Sequence, residues 1–222
     1  MRRRAAPHRN VPHRNVPHRT LLAAACLLLS GCGGLFDFGA GDFLPELGFG
    51  GGACESRLRN AGAEFRPIPD IREGSCRVDQ AVELYAASVP LDQPATLSCP
   101  TALALLQWER NVMQPLAERH LGSRVVEIDQ FASYSCRGRS SDPSRLSEHA
   151  FGNAIDIGVF TLADGRRVSV TEWYDGGQES TFLRQVARGA CDMFTVVLTP
   201  ISNAAHHNHF HLDLSDWPLC EA

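Results

Sequence analysis

The sequence contains no lysine, so all 21 of its basic residues are arginine. Six of these arginines and no acid precede Cys32, which leaves 15 arginines against 25 acids beyond it, a formal charge of −10. A surface of that sign argues against non-specific binding to nucleic acid, whose affinity comes from cations that neutralise phosphate. There is also no C-x-x-C pair, which weakens any case for a cysteine-ligated zinc. Long apolar runs are missing too. The longest near the N-terminus, Leu21 to Leu29, is about half of the roughly 20 residues that a membrane-spanning helix needs.

That short run follows an arginine-rich segment with the tandem repeat PHRNVPHRNVPHRT, the layout of a secretory signal peptide. It ends in Leu29-Ser30-Gly31-Cys32, which resembles the lipobox of bacterial lipoproteins. The resemblance implies that residues 1–32 form a lipoprotein signal, cleaved before Cys32 so that a lipidated Cys32 becomes the new N-terminus and attaches the chain to a membrane on the periplasmic side of a bacterial envelope. Gly33 stands where an aspartate is associated with inner-membrane retention in enteric bacteria, so the outer membrane is preferred. Residues 33–52 are rich in glycine, hold three acids, no base and four phenylalanines, and show no period, as expected of a tether. Residues 53–222 are then a single domain of about 170 residues.

Six cysteines remain in that domain: Cys54, Cys76, Cys99, Cys136, Cys191 and Cys220. An even number in an exported chain implies up to three disulfides, with 15 possible connectivities. They would lock the N-terminal segment and the last residues onto the core.

Leu103, Leu106, Met113 and Leu116 approximate one face of a helix from Thr101 to His120, which Pro115 should kink or shorten. Val125–Asp129 and Ala132–Cys136 read as two short strands or one bent strand. Asn153–Phe160 and Arg166–Val170, joined by Asp164-Gly165, read as a hairpin. Ser180–Ala190 has a helical pattern and Phe194–Leu198 a strand pattern. The expected fold is α+β, a mainly antiparallel sheet flanked by helices.

Two stretches carry most of the coordinating chemistry, SEHAFGNAID (Ser147 to Asp156) and HHNHFHLD (His206 to Asp213). Of nine histidines, five fall in these stretches, four of them between 206 and 211. Phe210, Leu212 and Leu214 alternate with His209, His211 and Asp213, a half-buried strand. Ile155, Ile157 and Val159 likewise alternate with Ala154, Asp156 and Gly158, placing Asp156 opposite the core-facing set. His149 lies in the loop that enters this strand. Side chains two apart on a strand sit roughly 7 Å from each other, close enough for two imidazoles to converge on one ion and its water. Catalytic zinc commonly takes three N or O ligands and leaves one position open. His149, Asp156 and one histidine of the HFH triplet supply such a set.

The pattern SxHxxGxAxD followed by HxH resembles that of the metallopeptidases that group D-alanyl-D-alanine peptidases, lysostaphin-type endopeptidases and the hedgehog signalling domain. Within that group the chain is most similar to the bacterial extensin-like C-terminal domain family, through SYSCRGR (Ser133 to Arg139), SEHAFGNAIDI and NHFHLDL, over roughly Cys54 to Cys220. The resemblance implies Zn2+ held by His149, Asp156 and His211, with His209 acting near the water. A second frame within the group, an acid, then two residues, then a ligand histidine, would instead make His209 the ligand and put His206 in the acid's place. Arg137 occupies a position comparable to a substrate-contacting arginine, and a guanidinium can hold a carboxylate bidentately. A surface arginine paired with an acid is the alternative. Ser147 could orient the loop, Glu148 is read as solvated, and Asp213 is an acceptor for a ligand imidazole, a salt-bridge partner or a strand-end cap.

The function expected on this basis is hydrolysis of peptide or amide bonds in peptidoglycan stem peptides or cross-links. No glutamate stands in the expected acid position, so proton transfer would fall to histidines. The competing readings are a zinc-stabilised cell-wall-binding module without catalysis and a purely structural disulfide scaffold.

Overall fold

The computed structural model describes residues 51–222. The expected signal peptide, the lipidation site at Cys32 and the tether up to residue 50 lie outside the described residues. Gly51 and Gly52, read from sequence as the end of the tether, open the first helix, α1 (Gly51–Asn60).

Five strands follow: β1 (Glu64–Pro67), β2 (Ile71–Glu73), β3 (Cys76–Val78), β4 (Ala81–Ala86) and β5 (Pro90–Ser98). Next come α2 (Cys99–Trp108), a π-helical turn (Glu109–Met113), α3 (Gln114–Leu121), β6 (Val125–Ala132), β7 (Ala154–Leu162) and β8 (Arg167–Ser169). The chain ends with α4 (Gly177–Ala190), β9 (Val196–Leu198), β10 (Phe210–Asp213) and β11 (Leu219–Cys220).

Nine strands form one sheet in the order β1-β4-β5-β6-β7-β10-β9-β11, with β8 added on β7, and β2 and β3 form a separate ribbon. Pairing is antiparallel except for β5 with β6 and β9 with β11. The fold is therefore α+β with a mainly antiparallel sheet, as expected. Parallel neighbours need a crossover of a dozen or more residues, which the α2–α3 segment supplies between β5 and β6.

The long helix expected from Thr101 to His120 is present as α2 and α3 with the π turn between them. The Ser98 side chain caps its start by accepting from the Thr101 N–H. Pro115 has no N–H to give to the carbonyl four residues back. Just before it, the Gln114 N–H donates to the Glu109 carbonyl, five residues back, so the chain widens by one residue rather than breaking.

Helices cover one face of the sheet. Trp108, Phe160, Phe182 and Phe210 are fully buried there, and Phe160 lies 5.4 Å from Phe182, 6.2 Å from Phe210 and 6.3 Å from Trp108. Ile155 and Ile157 join this core as expected, but Val159 is partly exposed and Phe160 replaces it. The cause is a bulge: Asp129 faces Val159 and Gln130 faces Ile157, so Gly158 has no partner and the core-facing set shifts from odd to even positions. The second strand expected at Ala132–Cys136 does not form. Instead the Tyr134 N–H donates to Thr96 O and the Ser135 N–H to His149 O.

The three disulfides are Cys54–Cys99, Cys76–Cys136 and Cys191–Cys220. The first ties α1 to α2 and the third ties β11 to the end of α4, so both ends of the described fold are locked onto its core. The second pins β3 to the segment that runs toward His149.

Candidate metal centre

β7 and β10 are neighbours, and their register sets Asp156 opposite His211 and Ile157 opposite Phe210. Because side chains alternate across a strand, Phe210 enters the aromatic core and His211 points to the other face beside Asp156. His149 reaches the same place from a 3-10 turn, Glu148–Phe151. Gly152 closes that turn at φ +63, and an added Cβ would lie 2.6 Å from Val78 Cγ1 and 2.9 Å from the Ser98 nitrogen. Only glycine fits both the left-handed backbone and the space.

The result is a buried group of three, His149, Asp156 and His211. His149 Nε2 lies 3.2 Å from His211 Nδ1 and 3.2 Å from Asp156 Oδ1, and His211 Nδ1 lies 2.8 Å from that same oxygen. The outer nitrogens are both engaged. His149 Nδ1–H donates to the Ser133 carbonyl at 2.7 Å, and His211 Nε2–H donates to Asp213 Oδ2 at 2.9 Å. These bonds fix the tautomers and turn His149 Nε2 and His211 Nδ1 inward.

Burial opposes ionisation of Asp156, but the His149 and His211 imidazoles against it outweigh burial and hold the carboxyl far below the usual carboxylate range. For His211, burial disfavours the charged form, yet the hydrogen bonds to Asp156 and Asp213 win and push its pKa up to about 9. Without an ion, a proton on His211 thus occupies the gap between the groups.

The fit to a metal can be tested on distances. Ligands about 2.1 Å from a tetrahedral zinc stand roughly 3.4 Å from one another. The three facing atoms are 2.8 to 3.2 Å apart, so a small outward relaxation would accommodate the ion. The donor set of two imidazoles and one carboxylate suits zinc, and it would displace the proton that His211 carries without it.

Other residues singled out from sequence are placed differently. His209 stands at the rim, half-buried, with Nε2 3.7 Å from Asp156 Oδ2, and burial lowers its pKa. His206 packs 5.2 Å from the His209 ring and 5.7 Å from the His211 ring, and its Nδ1 meets Asn203 Oδ1 at 2.9 Å. Burial and its two histidine neighbours push its pKa down to about 4. The third member of the buried group is His211, not His209. Asp213 accepts from His211 Nε2–H and, at the end of β10, also from the Ser215 N–H, so the acceptor and strand-end readings both hold.

Arg137 is exposed and pairs with no acid among the described residues, while its carbonyl accepts from the Ser147 N–H. Glu148, read as solvated, is instead largely covered, 3.3 Å from Arg139 and 3.5 Å from Asn153 Nδ2. Ser147 is buried and shapes the loop through its backbone, with its carbonyl accepting from the Ala150 N–H. A cavity of about 420 Å³ lies next to this loop, lined by Arg77, Glu148, Phe151, Asn153, Leu214 and Asp216 among others, but none of the three buried residues lines it.

The Ser133 carbonyl was not singled out from sequence, because backbone groups carry no residue signature. Its only trace is its place at the head of SYSCRGR.

No curated protein and no solved structure matches the chain. A family model described as extensin-like protein C-terminus matches residues 52–221, nearly all of the described fold including every residue of the cluster, and the chain belongs to that family.

Proposed function

We propose that the chain is a zinc peptidase, lipid-anchored at Cys32 on the periplasmic side of a bacterial envelope, that hydrolyses peptide or amide bonds in peptidoglycan stem peptides or cross-links. The observation that carries this reading is the convergence of His149 Nε2, Asp156 Oδ1 and His211 Nδ1, with each imidazole held from behind by its own acceptor.

Zinc at these residues would polarise a carbonyl and lower the pKa of a bound water. His209 is the proton carrier: half-buried at the rim and neutral at pH 7, it can accept a proton and hand it to the leaving amine. Asp213 holds His211 in its tautomer, and the Ser133 carbonyl does the same for His149. Arg137, exposed and without an acid partner among the described residues, is available to a substrate carboxylate.

One observation favours a second reading. The carboxylates hydrogen-bonded to the cluster are Asp156 and Asp213, both engaged with imidazoles, so no free carboxyl stands by as a general acid. A cell-wall-binding module that uses zinc for stability would need none.

The test is mass spectrometry of defined muropeptides, monomeric and cross-linked, after incubation with the zinc-loaded chain and with His211→Ala. Cleavage by the first alone supports the peptidase, and the product masses name the bond. No cleavage with zinc shown to be bound favours the module.

A further inference from the structure

Phe131 is an aromatic side chain left 47% exposed beside the metal centre. It sits in β6 where the ladder to β7 is irregular: Gln130 faces Ile157, Ala132 faces Asp156, and Phe131 between them has no partner. Its ring lies directly on Gly158, the bulge residue two positions beyond Asp156, where any Cβ would overlap it. The ring centroid is 6.4 Å from that of His209, at an interplanar angle of 58°, and His209 Nε2 is in turn 3.7 Å from Asp156 Oδ2. Two irregularities, the unpaired residue on β6 and the glycine on β7, thus combine to bring one flat apolar surface to the rim of an otherwise polar site.

An exposed ring costs free energy in water and regains it when covered by apolar groups. The groups it adjoins at the rim, His209 and beyond it Asp156, are polar, so Phe131 offers apolar surface to a molecule held there. We infer that Phe131 is a specificity-determining residue, whose ring takes an alkyl side chain of the peptide residue next to the scissile carbonyl. This rests on the peptidase reading and adds the substrate class: alkyl-bearing residues such as alanine are favoured over glycine and over acidic residues. Because the ring is open to solvent on one side, it discriminates weakly between alanine and larger alkyl groups.

The experiment uses the detergent-solubilised, zinc-loaded full chain and three peptides that differ only in alanine, glycine or glutamate at that residue. Both kcat/KM and equilibrium binding by calorimetry are measured for the wild type, Phe131→Ala, Phe131→Leu and Gly158→Ala. Covering one methyl group is worth about fourfold in affinity. The alanine-to-glycine ratio is expected to fall about fourfold in Phe131→Ala, to recover in Phe131→Leu, and to fall in Gly158→Ala, whose methyl pushes the ring aside. A merely structural role would lower the melting temperature and reduce all peptides alike without moving the ratio.

If the wild type cleaves and Phe131→Ala keeps the wild-type ratio, this inference is overturned and the peptidase reading stands. If the wild type binds the peptides without cleaving, the peptidase reading falls and the binding ratio decides on Phe131 in the same way. Neither cleavage nor binding overturns both.

Discussion

Replacing Glu109 by glutamine should remove one contribution to stability that declines as pH rises from about 4.5 to about 7. Glu109 opens the π turn and is fully buried. Its Oε2 accepts from the Ser88 N–H at 2.6 Å, the Val89 N–H at 3.1 Å and the Ser88 hydroxyl, while Oε1 has no partner among the described residues. Burial raises its pKa from 4.5 to about 7, against the pull of those hydrogen bonds.

The sign follows from proton counting. Between about pH 4.5 and pH 7 the folded chain holds the Glu109 proton and the unfolded chain does not, so raising the pH favours unfolding. The contribution is intact below the unfolded value and lost above the folded one. At about 1.4 kcal/mol per pH unit the loss comes to roughly 3 kcal/mol. For a domain of this size it corresponds to about 6–12 °C in melting temperature.

Glutamine offers the same acceptor to Ser88 and Val89 but sets an amide where Oε1 lacks a partner, a penalty of about 1–2 kcal/mol that does not vary with pH. The assay is denaturant unfolding of the wild type and Glu109→Gln, without metal, at pH 5, 6, 7 and 8. All other titrating groups are shared, so the difference between the two curves isolates Glu109. Curves that stay parallel within about 0.5 kcal/mol across that range would refute the reasoning.

Asp213→Asn should weaken zinc binding about 10- to 100-fold in a chelator competition while leaving the far-UV spectrum unchanged, since it removes the negative charge behind His211 and leaves one amide oxygen for two donors, the His211 Nε2–H and the Ser215 N–H. Zinc at 100 times its dissociation constant should stabilise the wild type by about 2.7 kcal/mol and His211→Ala hardly at all, read as a shift in melting temperature. His209→Ala should keep zinc and reduce muropeptide cleavage by about 10²- to 10⁴-fold, the range for a lost proton carrier. Removing the Cys76–Cys136 bridge as a double serine variant should cost about 2–4 kcal/mol by calorimetry.

The C-terminal half of the fold was legible because its strands alternate cleanly. Phe210 and Leu212 set against His211 and Asp213 read as a half-buried strand; the strand is β10, but both of its faces are buried, because His211 lies within the buried His/Asp group and Asp213 is buried against it. The N-terminal half was not legible. No element was assigned between Cys54 and Cys99, where α1 and five strands lie. β4 is buried along most of its length, so its residues do not alternate, and β1, β2 and β3 are three or four residues long, too short for a period to show. The π turn was legible only as a disturbance at Pro115, because a proline announces a missing donor and not the way in which the helix absorbs it.

The three buried residues were legible for a different reason, since His149, Asp156 and His211 carry their chemistry in their side chains. What holds His149 does not. The Ser133 carbonyl that orients His149 belongs to a residue whose side chain bonds elsewhere, accepting from the Thr96 N–H. Serine is therefore not required there by the candidate metal centre. Ser133→Ala should leave zinc affinity within about threefold, because the carbonyl survives the change. Ser133→Pro should disturb the site far more if it forces the carbonyl to turn, since His149 would then lose the acceptor that fixes its tautomer. Chelator competition on the pair separates the two contributions. Equal losses in both would mean that the hydroxyl's bond to Thr96 positions the segment, and that the carbonyl follows from it.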